Sequence, residues 1–198
     1  MTKPVRYKSL LIFAAIAVLE AACCVIDTCG CGNTEGSTRY RIKGYDLSTY
    51  DGSTLVTVTN QSVQATNLRL VLTPETEFIS ADHRAFKALY ACSPPEPAPT
   101  QNILSFAITS EQDFLLPNTT IEAGQSLNSI FFLSNGPYGE GQLVSFLASP
   151  NIDASLYEYS LRIFQSIIKE QRHTFTVEVT LSDNQKYVFK TPALLLQP

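Results

Sequence analysis

Hydrophobic and polar residues alternate with a period of two along most of this chain. In the segment HTFTVEVTL, apolar side chains occupy one set of alternate positions, and threonines and Glu178 occupy the other. The apolar positions are Phe175, Val177, Val179 and Leu181. This alternation is typical of a half-buried strand in an antiparallel sheet. The turn residues SDNQ and the returning segment KYVFKT predict a β-hairpin, after which ALLLQP is expected to add a last edge strand.

Comparable segments recur before this hairpin and are separated by turn residues. They are TRYRIKGYDL, STLVTVTN, TNLRLVLTP, NILSFAITS, SLNSIFFLSN, QLVSFLAS and SLYEYSLRIF. In NILSFAITS the predicted apolar face comprises Leu104, Phe106 and Ile108. About eight or nine short strands at this spacing predict an all-β protein, namely an antiparallel, immunoglobulin-like β-sandwich.

Two segments interrupt the strand pattern. ADHRAFKALYAC, residues 81–92, places Phe86, Leu89 and Tyr90 on one helical face and predicts a short helix. ACSPPEPAPT, residues 91–100, has four prolines and cannot be a central strand, because proline donates no hydrogen bond to a sheet. It is interpreted as an extended surface segment. Because the strands on either side are too few for two cores, residues 39–198 are expected to form a single β-sandwich domain.

The start of the chain has a different pattern. MTKPVRYK carries three basic residues, and SLLIFAAIAVL, residues 9–19, is apolar except for Ser9. About twenty apolar residues are needed for a helix to cross a membrane, so this run is too short. A basic start, a short apolar run and small residues after it predict a secretory signal peptide over residues 1–22.

Cys23 directly follows the small residues Ala21 and Ala22. This arrangement looks like a bacterial lipoprotein signal, in which the cysteine is acylated and becomes the first residue of the mature chain. Glu20 departs from the apolar residue that this signal prefers three places before the cysteine. Cys23 is therefore the predicted lipidation site. The protein is expected to be exported and anchored in the cell envelope, at the outer membrane, since two or more acyl chains give stable anchoring.

Residues 23–38 are rich in Gly, Thr, Asn and Ser and show no hydrophobic period, which predicts a flexible tether. Cys29 and Cys31 are too close to pair comfortably with each other, so the candidate disulfide in an exported protein joins one of them to Cys92. A zinc or copper site at Cys24, Cys29 and Cys31 is the alternative. No CxxC pair and no nearby histidine supports it, so no metal or other cofactor is expected.

The composition narrows the class of partner. Without residues 1–22 the chain keeps 11 basic and 17 acidic side chains, a net charge of −6. It shows no basic stripe, which argues against nucleic acid as a partner. About 175 residues are enough for one domain with a sizeable core.

Catalytic patterns are absent from the sequence. His83 and His173 are interpreted as solvated loop histidines, and there is no GxSxG or HExxH pattern. Glu75 and Glu77 could share a strand face, but they are interpreted as a solvated edge. GPYGEGQ, residues 136–142, lacks the lysine of a phosphate loop and is interpreted as a mobile hairpin tip. No enzymatic activity is therefore expected.

Tyrosines give the one indication of a binding surface. Tyr45 and Tyr50 flank the acidic segment GYDLSTYDG, and Tyr138 lies in the glycine-rich segment 136–142. Exposed tyrosines are suited to recognition because they supply rigid amphipathic area at low entropic cost. These three residues are the predicted recognition positions.

The stretches ALYACSPPEP, NILSFAITSEQDF, AGQSLNSIF and FTVEVTLSDNQKYVFKTPALLL together resemble a family of uncharacterised Bacteroidetes lipoproteins. The resemblance implies an exported, lipid-anchored β-sandwich domain of unknown function and supplies no functional residues.

The expected function is that of a lipid-anchored envelope protein acting as a binding or structural module. Two alternatives stay open: a carbohydrate- or peptide-binding accessory protein of a surface uptake system, and an enzyme without a recognisable motif. The expected partners are the membrane, through the lipid anchor, and an extracellular glycan or protein.

Overall fold

The computed structural model describes residues 38–79, 96–136, 139–149 and 152–198. Within these ranges there are sixteen strands, one short helix and one 3-10 turn at Asn128–Ile130. The elements are β1 (Arg39–Asp51), β2 (Thr54–Leu55), β3 (Gln61–Gln64), β4 (Leu68–Ile79), β5 (Ala98–Pro99), β6 (Asn102–Ser110), β7 (Phe114–Leu115), β8 (Thr120–Ile121), β9 (Phe131–Asn135), β10 (Glu140–Gln142), α1 (Leu143–Leu147), β11 (Ile152–Asp153), β12 (Tyr159–Ile163), β13 (Gln171–His173), β14 (Phe175–Leu181), β15 (Lys186–Lys190) and β16 (Leu194–Gln197).

The strands form four sheets. The largest has the order β10-β9-β12-β4-β1-β2, with β5 also paired to β1. A second sheet has the order β11-β6-β14-β15, a third has β13-β16-β3, and β7 pairs with β8. Most pairs are antiparallel, whereas β5 with β1 and β16 with β3 are parallel.

The first two sheets pack face to face around one core. The rings of Phe106 on β6 and Tyr159 on β12 lie 6.3 Å apart, and those of Phe131 on β9 and Phe175 on β14 lie 6.1 Å apart. Each pair joins one sheet to the other. The predicted all-β sandwich is therefore confirmed. Its described residues form sixteen strands instead of the expected eight or nine, and seven of the sixteen are only two or three residues long, which is too short to show an alternating pattern.

The predicted β14–β15 hairpin is confirmed, including its buried face. Phe175, Val177, Val179 and Leu181 have no exposed surface. Burying one valine, leucine or phenylalanine side chain contributes about 1.5–3 kcal/mol to the free energy of unfolding, so the four buried side chains of this strand stabilise the fold substantially. Its partner β15 runs antiparallel, with Val177 opposite Phe189.

Other local predictions were wrong. QLVSFLAS was counted as a strand, but Leu143–Leu147 form α1, because a short apolar run does not distinguish strand from helix. The final segment was expected at an edge, but β16 lies between β13 and β3. Leu104 was assigned to the apolar face of β6 and is 60% exposed, while its neighbour Ile103 is buried. A register irregularity between β6 and β14 lies at this point.

A β-bulge in β1 changes which residues of that strand face the core. Its pairing with β4 shifts between Ile42 and Gly44. Tyr40 and Ile42 are buried before the shift and Tyr45 after it, so the alternation changes phase. An inserted residue in one strand has this effect on all later side chains.

The proline-rich segment is partly described. Ala98–Pro99 form β5 at the edge of β1, which agrees with the expectation that this segment is not a central strand. The predicted signal peptide, the predicted tether and the predicted helix at residues 81–92 lie outside the described residues.

Candidate functional site

The face of the seven-stranded sheet that points away from the core carries a continuous row of directly paired residues. Tyr50 on β1 is opposite Arg69 on β4, Arg69 is opposite Arg162 on β12, and Arg162 is opposite Phe132 on β9. Directly paired residues project to the same side of a sheet. Leu55 on β2 and Gln142 on β10 extend the row at its two ends. We call this set the outer-face row.

The two arginines of the row have different partners. Arg162 forms an ion pair with Glu140 of β10, and both side chains are partly exposed. The guanidinium carbon of Arg69 lies 5.1 Å from the centre of the Tyr50 ring, within cation–π distance. Its Nε is buried and has no hydrogen-bond partner among the described residues. Within the described residues, Arg69 therefore contacts an aromatic ring and forms no ion pair with a carboxylate.

Aromatic and hydroxyl side chains surround these charges. Phe132 stacks on Phe164 with ring centres 4.5 Å apart. A second row, displaced by one pleat, contains the half-buried serines Ser134 on β9, Ser160 on β12 and Ser48 on β1. The face therefore offers aromatic surface, hydroxyl groups and positive charge on a rigid sheet.

A small cleft of about 260 Å³ lies at the β10 end of the same sheet. Its lining includes Leu133, Asn135, Glu140, Ser145 and Phe146. The Asn135 side chain is buried, and its Oδ1 has no hydrogen-bond partner among the described residues. The cleft shares Glu140 with the ion pair to Arg162, so it adjoins the outer-face row.

Comparisons with known proteins add little. No protein-family profile matches the chain, and no curated protein matches it. Among solved structures it is similar to the C-terminal domain of the AgI/II polypeptide BspA of Streptococcus agalactiae. That match has 11% identity and a TM-score of 0.28 over 78% of this chain and 49% of that chain. A second structure, BspA_C_WT, matches with 10% identity and a TM-score of 0.27 over 82% of this chain and 50% of that chain. The chain thus spans about half the length of these structures, and the likeness identifies no family.

The structure separates the three predicted recognition tyrosines. Tyr50 is half-buried at the end of β1 and belongs to the outer-face row. Tyr45 was predicted to lie in a recognition loop, which was wrong. It sits within β1, is 6% exposed, and packs against Tyr159 and Tyr187 in the core. The bulge before Gly44 turned it inward. Tyr138 lies outside the described residues.

The cysteine predictions are not tested. The predicted lipidation site Cys23 and the predicted disulfide residues Cys29, Cys31 and Cys92 lie outside the described residues. Within the residues that the structure describes, no group of three or more His, Cys, Asp or Glu could hold a metal ion. No helix in this part of the chain is long and apolar enough to span a membrane.

The prediction that His173 is a solvated loop residue was wrong. His173 ends β13, has no exposed surface, and its Nδ1 lies 2.9 Å from Oγ of Ser110. Nε2 lies 3.3 Å from Oε1 of Gln171, and the ring stacks on Phe114 at 4.7 Å. Burial lowers the pKa of His173 to about 4. His83 lies outside the described residues.

This Ser–His pair cannot present a nucleophile to a substrate. Ser110 is 3% exposed and accepts a hydrogen bond from the backbone N–H of Gln112. The Gln171 side chain binds both the N–H and the C=O of Leu115, at 2.7 and 2.8 Å. The cluster therefore fastens β7 to β13 inside the domain, and its contacts are those of a structural network.

Of the two glutamates Glu75 and Glu77, the second is bound by two basic side chains. Glu77 pairs with Arg41 at 2.5 Å and with Lys43 at 3.3 Å. Hydrogen bonds from these two side chains hold the pKa of Glu77 below its usual value. Both glutamates lie in β4 beyond the residues that pair with β12. Glu75 is exposed and Glu77 is half-buried there, which agrees with their interpretation as a solvated edge of the sheet.

Sequence reasoning missed Arg69, Arg162 and Phe132. The alternation in TNLRLVLTP and SLYEYSLRIF does place Arg69 and Arg162 on the polar faces of their strands. Nothing local indicates that β4 and β12 are neighbours, because their pairing joins distant parts of the chain. The register of the sheet was needed to find the row.

Proposed function

We propose that this chain is a lipid-anchored binding module of a bacterial cell envelope, without enzymatic activity, and that its ligand is an extracellular glycan. The lipid on Cys23 holds it at the membrane, and the outer-face row provides the binding surface. The observation that carries the proposal is the direct pairing of Tyr50, Arg69, Arg162 and Phe132 across four adjacent strands.

The chemistry of this face supports a polar ligand with apolar ring faces. Tyr50 and Phe132 lie at the two sides of the arginine pair, and Phe132 is braced by Phe164. Rigid aromatic side chains give contact area at low entropic cost. Serine hydroxyls on the neighbouring row can donate and accept hydrogen bonds, as sugar hydroxyls require.

A peptide ligand fits this face less well. Extended peptides usually add to an exposed sheet edge, and helical peptides lie in apolar grooves. The outer-face row runs across the middle of the sheet, through β4 and β12, whose backbone groups are already paired on both sides. It offers side chains only, which suits a ligand recognised by rings and hydroxyls.

The full chain, extracted from membranes in detergent, should be screened against an array of extracellular glycans. We expect binding to a subset, and we expect Tyr50→Ala and Phe132→Ala each to weaken it about tenfold or more, since buried aromatic anchors dominate binding energy. Leu104→Ala is the matched control, because Leu104 is an exposed apolar residue on the other large sheet. Absence of glycan binding, or equal losses in all three variants, would overturn the proposal.

A further inference from the structure

Arg69 and Arg162 face each other directly on adjacent strands of the outer face. Like charges directly opposite each other destabilise a sheet. Both arginines lie on the face away from the core, so packing of the core does not require an arginine at either position. The net charge of the whole chain is −4, so the pair is a local concentration of positive charge on an acidic protein. Where a local stability rule is broken without a structural gain, a functional reason is expected.

Among the described residues, one of the two charges has a carboxylate partner and the other has none. Glu140 pairs with Arg162, whereas no ion pair among the described residues includes Arg69. The Nε of Arg69 is buried and has no hydrogen-bond partner in the part of the chain that the structure describes. Arg69 as a whole is half-buried, so a ligand from solvent would reach its terminal N–H groups and not the buried Nε.

The Tyr50 ring contacts the Arg69 guanidinium. The ring centre lies 5.1 Å from Cζ of Arg69, so the π-face of the tyrosine supports the cation. A guanidinium that stacks on a ring can still donate from its two terminal nitrogens, and their planar arrangement matches the two oxygens of a carboxylate. The geometry thus favours a carboxylate over a neutral group at Arg69.

We infer that the outer-face row recognises a glycan that carries carboxylate groups, with Arg69 binding a carboxylate and the Tyr50 and Phe132 rings contacting the sugar faces. This inference rests on the proposed function and adds the ligand class. Tyr50 and Phe132 are three strand positions apart, about 14 Å, which is long enough for a short oligosaccharide lying across the strands.

The test uses the full chain in detergent and calorimetric titration with oligogalacturonate, which carries carboxylates, and with its methyl ester, which is neutral. We expect Arg69→Gln to weaken oligogalacturonate binding about tenfold or more and to leave methyl-ester binding unchanged. Arg69→Lys should fall between, because lysine keeps the charge but loses the bidentate geometry. Arg172→Gln, at an exposed arginine on β13, is the matched control and should bind as wild type.

Three results would overturn the inference. The first is equal affinity of the wild type for oligogalacturonate and its methyl ester, and the second is unchanged oligogalacturonate binding in Arg69→Gln. If Tyr50→Ala still weakens binding in either case, the glycan-binding function stands and only the carboxylate assignment fails.

The third result is binding of polyglutamate as tightly as oligogalacturonate, which would replace the glycan by an acidic peptide. Thermal unfolding of each variant shows that the fold is retained.

Discussion

Nδ1 of His173 lies 2.9 Å from Oγ of Ser110, and both side chains are buried. Oε1 of Gln171 is a hydrogen-bond acceptor, and it accepts from the N–H of Leu115. The His173 Nε2 that faces this oxygen must therefore carry the proton in order to donate to it. Ser110 then donates to the unprotonated Nδ1. This arrangement requires the neutral imidazole, and the stacked Phe114 ring replaces water beside it.

The stability of the protein should therefore fall in mild acid. Burial lowers the pKa of His173 to about 4, against an ordinary value of 6.5. Between these values the unfolded chain binds more protons, so the free energy of unfolding should decrease as the pH falls from 6.5 to 4, by about 3 kcal/mol. This contribution is fully present above pH 6.5. Urea unfolding at intervals across this range measures it.

The histidine responsible can be identified with two variants. His173→Gln should be less stable at pH 7 and should lose this part of the pH dependence, while the contribution of the carboxylates remains. His83→Gln should keep the wild-type profile. Identical profiles for the wild type and His173→Gln would contradict the assignment.

Gln101 should be a sensitive position because its buried side chain completes the β1 bulge. Its Oε1 accepts from the N–H of Ile42 at 2.6 Å, and its Nε2 donates to Asp183 in the β14–β15 turn at 2.6 Å. Gln101→Ala leaves a buried N–H without a partner, so we expect a loss of about 1–3 kcal/mol in the free energy of unfolding. The control Gln64→Ala removes only the exposed Gln64–Gln197 contact and should change stability by less than about 0.5 kcal/mol.

Tyr45 and Tyr159 should respond in opposite ways to removal of the hydroxyl group. The Tyr45 hydroxyl is buried without a partner among the described residues, and burial is the main cause that raises its pKa. Tyr45→Phe should therefore leave stability unchanged or raise it. The Tyr159 hydroxyl accepts from the N–H of Ser155 at 2.8 Å, so Tyr159→Phe should cost about 1–3 kcal/mol. A comparable loss in both variants would refute this distinction.

The proposed anchor depends on one sulfur atom. Intact mass of the wild type from membranes should show loss of residues 1–22 and addition of acyl chains, and Cys23→Ser should leave the membrane fraction or keep its leader. Two or more acyl chains give stable membrane anchoring, so their loss should be evident in fractionation. Cys24→Ser serves as the control and should fractionate as wild type. Membrane association and processing of Cys23→Ser like those of the wild type would rule out this anchor.

Local patterns identified the strands whose alternation is regular and long. The inward face of β14 was predicted correctly, and Leu68, Leu70 and Leu72 of β4 are buried as the alternation in TNLRLVLTP indicates. Prediction failed where a bulge shifts the alternation, as at Tyr45, and where an apolar run is too short to define a period, as at α1. Of the outer-face row, the sequence indicated only Tyr50, whose role in recognition stays a prediction, and it indicated none of the residues paired with it.

The sequence by itself determined the all-β class, the β14–β15 hairpin and the inward faces of β14 and the first part of β4, because side-chain alternation in a strand is a local property. Only the tertiary structure decided which strands far apart in the sequence are neighbours. That pairing placed Arg69 opposite Arg162, put β16 inside a sheet, and buried His173 against Ser110. These relationships depend on contacts between distant parts of the chain, and no local period of apolar residues specifies them.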